Sequence, residues 1–235
     1  MDLAQEADRY WAAKDDRVDQ ERLGMLLALV PPRSKVLVID GGPGMLAERL
    51  RAAGHEVCMT EVSVLATRRA QLKSLHAVAC DTDAEPLPFP DAHFNCVISD
   101  SGMEHRYHHQ RVLSEGVRVL AHGGTFLLLI PNIAHWRHRL HLLCGRMPEI
   151  EGAATDRCHL RFFARPELQR MLRAQGLRVR HTSGYAALWV KGLWPAVCRA
   201  PVARSVFGAL AKLWPSLFAR DLIFSSTKTA PPDAA

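Results

Sequence analysis

The sequence predicts an α/β fold: a doubly wound parallel sheet with helices on both faces. Three observations carry this. Apolar runs of five or six residues alternate with helically patterned stretches between Lys35 and Pro131, which is the signature of strand–crossover–strand units. The first run ends in a glycine-rich turn, Gly41-Gly-Pro-Gly44. And 235 residues with 48% apolar content can bury one substantial core.

The elements follow in order. Asp16 to Val30 carries leucines at helical spacing and stops at Pro31-Pro32, because the residue before proline is pushed out of the helical region. Lys35 to Asp40 is the first strand, and Met45 to Ala53 a helix that Gly54 stops. Glu56 to Thr60 is a strand, Val64 to Leu75 a helix, and His76 to Cys80 a strand. Phe94 to Ser99, Arg111 to Leu120 and Thr125 to Ile130 repeat the rhythm as strand, helix and strand. Right-handed crossovers then place helices on both sides of a parallel sheet. After Pro131 the alternation lapses. His135 to Cys144 and Pro166 to Gln175 read as helices, and Leu177 to Arg180 begins a strand. Val202 to Phe218 reads as one helix, with Phe207, Leu210, Ala211, Trp214 and Phe218 on an apolar face. Asp221 to Thr227 is the last strand. The chain divides into an N-terminal helical segment (1–32), a first half of the sheet (33–131), a second half with a helical insertion (132–228) and a disordered tail (229–235).

Bulk properties narrow the setting. Met1 to Gln20 is charged and unlike a signal peptide. The longest apolar stretch, Tyr185 to Cys198, is broken by Lys191 and Pro195, so a soluble, cytoplasmic protein is expected. The six cysteines are scattered singly without a C-x-x-C pair. They read as reduced, buried small hydrophobes, with neither a disulfide framework nor a zinc site expected. The net charge of +6 is uneven: Asn132 to Arg220 holds 15 Lys/Arg against four Asp/Glu, and the first 130 residues hold 14 against 18. Such asymmetry points to an anionic partner for the second half, whether a phosphate-bearing small molecule, an anionic lipid surface touched peripherally, or RNA. A solvated basic face is the alternative, and nucleic acid is the least expected of the partners.

Four segments carry chemistry. Gly42-Pro-Gly44 lies where a strand becomes a helix, so backbone can approach a ligand and helix N–H groups can meet an anion. Glu61 follows the second strand, 19 residues beyond Gly42, where an acid can accept both hydroxyls of a ribose. Asp83-Ala-Glu-Pro-Leu-Pro-Phe89 precedes the strand from Phe94, and Ser99-Asp-Ser-Gly-Met-Glu-His105 ends it, at the edge where such sheets bind ligands.

Together these segments resemble the class I S-adenosylmethionine-dependent methyltransferases over about Val36 to Pro131. Beyond them, Pro131-Asn-Ile-Ala-His-Trp136, Gly145-Arg-Met-Pro148 and Asp156-Arg-Cys-His-Leu-Arg-Phe-Phe163 resemble a bacterial branch of MetW-like and surface-glycan-associated methyltransferases. The resemblance implies a Rossmann-like sheet of seven strands with the last one antiparallel, and S-adenosyl-L-methionine as cofactor. Gly42 and Gly44 would cradle its methionine part, Glu61 its ribose, and Asp83 and Ala84 its adenine, by side chain and backbone respectively. His105 would lie near the methyl group.

Two positions depart from the family. Val38 stands where an acid is usual and Asp40 where a glycine is usual; Asp40 is expected to restore the carboxylate beside the cationic amino group of the methionine part. Asn132 is expected to orient the acceptor, and His135 to take its proton without any special pKa shift, with His105 the rival base and His159 helping to close the site. His105, His108 and His109 have helical spacing but no accompanying carboxylate motif, so they read as a basic helix start, and no metal is expected. The resulting function is methyl transfer to an oxygen or nitrogen of a small-molecule, glycan-type or lipid-linked acceptor. Two other classes compete: a non-catalytic regulatory partner with a degenerate cofactor site, and an NAD-dependent oxidoreductase suggested by the glycine turn alone.

Overall fold

The computed structural model describes residues 3–14, 19–147, 154–186 and 201–229. The expectations for residues 15–18, 187–198 and 230–235 lie outside them. A seven-stranded sheet organises the rest, in the order β3-β2-β1-β4-β5-β7-β6. The strands are β1 (Lys35–Ile39), β2 (Glu56–Glu61), β3 (His76–Ala79), β4 (Phe94–Asp100), β5 (Leu120–Pro131), β6 (Leu177–Tyr185) and β7 (Asp221–Lys228). The first five pair in parallel, while β7 runs antiparallel to both β5 and β6. This is the Rossmann-like sheet that the resemblance implied.

Alternation along the strands fills a layer on each face. Leu37 and Ile39 point to one side, where Val112, Leu113, Leu168 and Leu172 pack. Val36 and Val38 point to the other, against Leu23, Leu26, Leu46 and Leu50. The helices responsible on the first side are α5 (His109–Val119) and α7 (Arg165–Ala174); on the second they are α2 (Gln20–Leu27), α3 (Met45–Ala52) and α4 (Val64–Leu72). Phe94 and Val97 join the same core cluster, and the β4–β5 register shifts between Phe94 and Cys96, with the extra residues on β5. Such an irregularity re-aims side chains.

Three expectations are corrected. The helix expected from Val202 to Phe218 is two, α8 (Pro201–Leu213) and α9 (Pro215–Phe218). Pro215 cannot donate the hydrogen bond that would continue the first helix. Leu120 begins β5 instead of ending α5. Cys144 and Cys158 are exposed, unlike the buried Cys80 and Cys96.

Two further elements bear on the site: α6 (Trp136–Leu143), after β5, and an N-terminal helix, α1 (Leu3–Ala13). α1 lies across the start of α4. Asp8 Oδ1 accepts from Ser63 Oγ at 2.5 Å and from Leu65 N at 3.0 Å, and Arg69 donates to the Trp11 carbonyl at 2.9 Å. Among the described residues no helix is long and apolar enough to cross a membrane.

Candidate active site

The glycine turn forms because three successive alternate positions take left-handed backbone: Asp40 (φ 55°), Gly42 (φ 56°) and Gly44 (φ 89°). Glycine meets this conformation without strain, and aspartate tolerates it better than most residues. Gly44 also needs its missing side chain, since a Cβ there would lie 2.4 Å from Leu75 Cδ1. Gly42 faces α1: a Cβ would lie 2.5 Å from Trp11 Cζ2.

Glu61 holds the turn from below. Its carboxylate, at 3% exposure, accepts from Gly42 N at 2.7 Å through one oxygen and from Ser63 N at 2.9 Å through the other. Burial pushes its carboxyl up from 4.5 to about 7, helped by the negative charge of Asp40 and opposed by the two backbone hydrogen bonds. A carboxylate at the end of β2, tied by both oxygens to the glycine turn and to the start of α4, is poised to accept donors on its open lone pairs.

Asp40 has a partner that sequence reasoning missed. Arg106, at 1% exposure, forks onto it, with Nε 3.1 Å from Oδ2 and Nη2 on Oδ1. Its Nη1 donates to Asp81 Oδ1 at 3.0 Å. This bidentate geometry is the strong form of a guanidinium–carboxylate pair. In this structure the carboxylate expected to meet a ligand's amino group is engaged by a guanidinium of the chain itself. Nothing in the spacing could have paired residues 66 apart. Gly102 makes room for the pair, since a Cβ there would meet Asp40 Oδ2 at 2.5 Å.

Asp83 and Ala84 lie in the loop after β3. The Asp83 carboxylate accepts from Tyr107 N and His108 N, both at 2.9 Å, and so clamps the chain that leads into α5. This is the side chain expected to contact a base. Ala84 N donates to the Asp81 carbonyl, which closes the loop's own turn. A shallow cleft opens beside them, lined by Asp83, Tyr107, His108 and Arg111.

On the β5 side, Asn132 is fully buried. Its Nδ2 donates to the Ala219 carbonyl at 2.9 Å and to those of Pro215 and Ser216 at 3.3 Å, while Oδ1 accepts from Ala134 N at 3.0 Å. Its amide fastens the β5 loop to α9. His135 caps α6, its ring accepting from Arg137 N at 3.4 Å. Burial, with the neighbouring His138 and Arg137, lowers its pKa to about 3, so the expectation of an unshifted imidazole is corrected. His105 stands in a 3₁₀ turn after β4 (Met103–His105), its Nδ1 3.0 Å from the Cys158 carbonyl and its ring 4.7 Å from that of His159. Burial lowers its pKa to about 4.

A buried ionic cluster lies beneath these loops. Arg22 of α2 pairs with Asp100 at the end of β4 and reaches Asp221 at 3.6 Å. Glu104, at 1% exposure, is pushed up to about 8 by burial and by Asp100. Its two oxygens, and those of Asp221, have no hydrogen-bond partner among the described residues. Arg220 Nε lies 3.5 Å from Asp221 Oδ1, so two guanidiniums meet three carboxylates.

Comparison with known proteins sets this geometry in context. Residues 37–128 match a family of methyltransferase domains, a span that takes in the glycine turn, Glu61, Asp83 and Arg106. Over 108 residues the chain is 39% identical to the ubiquinone/menaquinone biosynthesis C-methyltransferase UbiE of Laribacter hongkongensis, covering 43% of this chain and 44% of the relative. The chain thus spans less than half the length of this relative. It is 27% identical over 180 residues to the malonyl-[acyl-carrier protein] O-methyltransferase of Geobacter sulfurreducens, covering 74% and 67% of the two chains. A SAM-dependent methyltransferase structure from Archaeoglobus fulgidus superposes with a TM-score of 0.62 at 17% identity, over 89% of this chain and 92% of that one. At that identity the likeness is one of fold.

Proposed function

We propose that the chain is an S-adenosylmethionine-dependent methyltransferase acting on an oxygen or nitrogen of a small-molecule, glycan-type or lipid-linked acceptor. The observation that carries this reading is Glu61. It is a buried acid at the end of β2, wired to the glycine turn through Gly42 N, within a span that matches methyltransferase domains.

The residues present suit the cofactor's chemistry. Asp40, Glu61 and Asp81 gather three carboxylates around the single Arg106 guanidinium, an excess of acids over cations that a ligand bearing an ammonium and a sulfonium can answer. When bound, that ligand supplies an electrophilic methyl group. In this reading Glu61 accepts the ribose hydroxyls, Gly42 and Gly44 give their backbone to the methionine part, and Ala84 borders the adenine. Asp83 acts at one remove, by clamping Tyr107 and His108. The chain's main contribution is to hold the nucleophile in line and exclude water.

We assign the acceptor side to the loop after β5. His135 is neutral at pH 7 and so is able to accept a proton, although an imidazole of low pKa is a weaker base than one near 7. Asn132 shapes that loop, and His105 faces the loop that carries His159. The basic excess of 132–220 supports an anionic acceptor or carrier, the motifs after Pro131 support the MetW-like or glycan-associated branch, and the charged N-terminal stretch supports a cytoplasmic setting. Native mass spectrometry of the protein purified without added ligand tests the reading: retained S-adenosylmethionine or S-adenosylhomocysteine is expected. Failure to retain either, together with no calorimetric binding of S-adenosylhomocysteine, would remove the cofactor and the activity with it.

A further inference from the structure

His105, Cys158 and His159 come together although 53 residues separate the first from the second. One ring nitrogen of each imidazole and the Cys158 sulfur lie within 4.8 Å of one another. Each imidazole is also oriented as metal-binding histidines are, with Nδ1 on a backbone carbonyl: Cys158 O for His105 at 3.0 Å, Ala154 O for His159 at 3.2 Å. Such a bond fixes the tautomer and leaves Nε2 bare for an ion. An independent observation points the same way. Glu104 Oε1 lies 4.0 Å from His159 Nε2, and this fully buried carboxylate has no hydrogen-bond partner among the described residues. It also shares Arg22 with Asp100 and Asp221, while Arg220 Nε lies 3.5 Å from Asp221 Oδ1.

We propose that His105, Cys158 and His159, with Glu104 behind them, bind one borderline-soft divalent ion of the zinc class. The donor types are those of tetrahedral zinc sites, two imidazoles and a thiolate with a carboxylate. Bond lengths of about 2.0–2.3 Å place tetrahedral donors roughly 3.3–3.8 Å apart, so the cluster must close by about an ångström. Cys158 is exposed and can supply that by turning its side chain. On binding, the Cys158 thiol loses its proton to solvent and gives up its contact with Asp156 Oδ1 at 3.3 Å. The ion's two charges then balance one thiolate and Glu104. Backbone bonds from Leu160 N and Arg161 N to the Glu104 carbonyl already dock the loop there; the ion would clasp it to the turn after β4.

The test uses the full chain stripped with a chelator and titrated with Co²⁺, then with Zn²⁺ against a chromophoric competitor. One equivalent of Co²⁺ should bind with intense tetrahedral d–d bands and a thiolate-to-cobalt charge-transfer band, and Zn²⁺ should displace it. Cys158→Ser should abolish the charge-transfer band and weaken binding at least tenfold, and His159→Ala should abolish stoichiometric binding. His141→Ala, on a surface helix, should change neither. Because Cys158 is exposed, the serine variant keeps its fold, which circular dichroism checks. Absence of saturable binding, or one-equivalent binding with unchanged spectra in both Cys158→Ser and His159→Ala, overturns the proposal.

Discussion

Replacing Glu61 by glutamine removes a buried charge while keeping the shape of the side chain. The folded protein holds this carboxyl at about 7 against an ordinary 4.5. That difference corresponds to roughly 3 kcal/mol between the two protonation states. Its sign is set by linkage: between pH 4.5 and about 7 the folded state binds the extra proton, so Glu61 makes stability fall as pH rises through that window. The variant escapes this loss. Glutamine resembles the protonated acid, since each offers one good acceptor to the Gly42 and Ser63 N–H groups. The two proteins should therefore unfold alike near pH 4, and the variant should be more stable by up to about 3 kcal/mol near pH 8. Neutral His105 and His135, half-buried, and His138, buried, contribute the opposite slope, because their lowered pKa values make stability fall in acid. The difference between wild type and variant cancels them. Urea unfolding at the two pH values measures it. Cofactor binding should move the other way, weakening by roughly 10- to 100-fold near pH 8, as the loss of a charge-assisted hydrogen bond implies. Equal stabilities at both pH values, or a wild type favoured at pH 8, would refute the account of Glu61 as a carboxylate held at a cost for the sake of a ligand.

Other perturbations read other parts of the site. Asp40→Gly relieves a left-handed aspartate but strands the buried Arg106 with only Asp81; a net loss of about 2–3 kcal/mol is expected, and an unchanged melting temperature would show that the pair adds nothing. Asn132→Ala leaves carbonyls of α9 without their donor and should destabilise by about 2–4 kcal/mol, which chemical denaturation checks. His135→Ala removes a helix cap worth about 1 kcal/mol; if His135 takes the acceptor's proton, turnover should also fall by about 10²–10⁴ while calorimetric affinity for S-adenosylhomocysteine stays within threefold or so. Because His135 stays neutral above about pH 4, wild-type turnover should show no loss from its protonation between pH 5 and 8, and an acid limb that disappears in His135→Ala would contradict that.

The strands were legible because buried parallel strands are written as apolar runs bounded by glycine and proline. β1, β2 and β4 lie within a residue of where the runs place them. The glycine turn and Glu61 were legible for a related reason: strand, turn and helix fix the distance between them along the chain. What no spacing encodes is a partner in another crossover. Arg106 on Asp40, Arg22 on Asp100 and Cys158 beside His105 each join segments whose proximity exists only after the sheet is wound. Asn132 and His135 were read by chemical type alone, and the structure shows the amide and the imidazole engaged by backbone. At Pro215 the sequence held two signals, apolar spacing through it and proline against it, and the proline decided. The N-terminal helix was obscured by its charge. It buries no residue completely, and it is held by side-chain and backbone hydrogen bonds to α4.

That helix has a kinetic meaning. The Trp11 indole is pressed on Gly42, where a Cβ would lie 2.5 Å from its Cζ2, so a ligand that takes that place must first displace the ring. For such a ligand, association would divide into departure of the ring and arrival of the ligand, and only the second step would respond to concentration. In a stopped-flow trace the observed rate would climb with ligand and then level off at the ring's own rate of departure. Trp11 itself would be the dye, losing its packed surroundings at the moment the path opens.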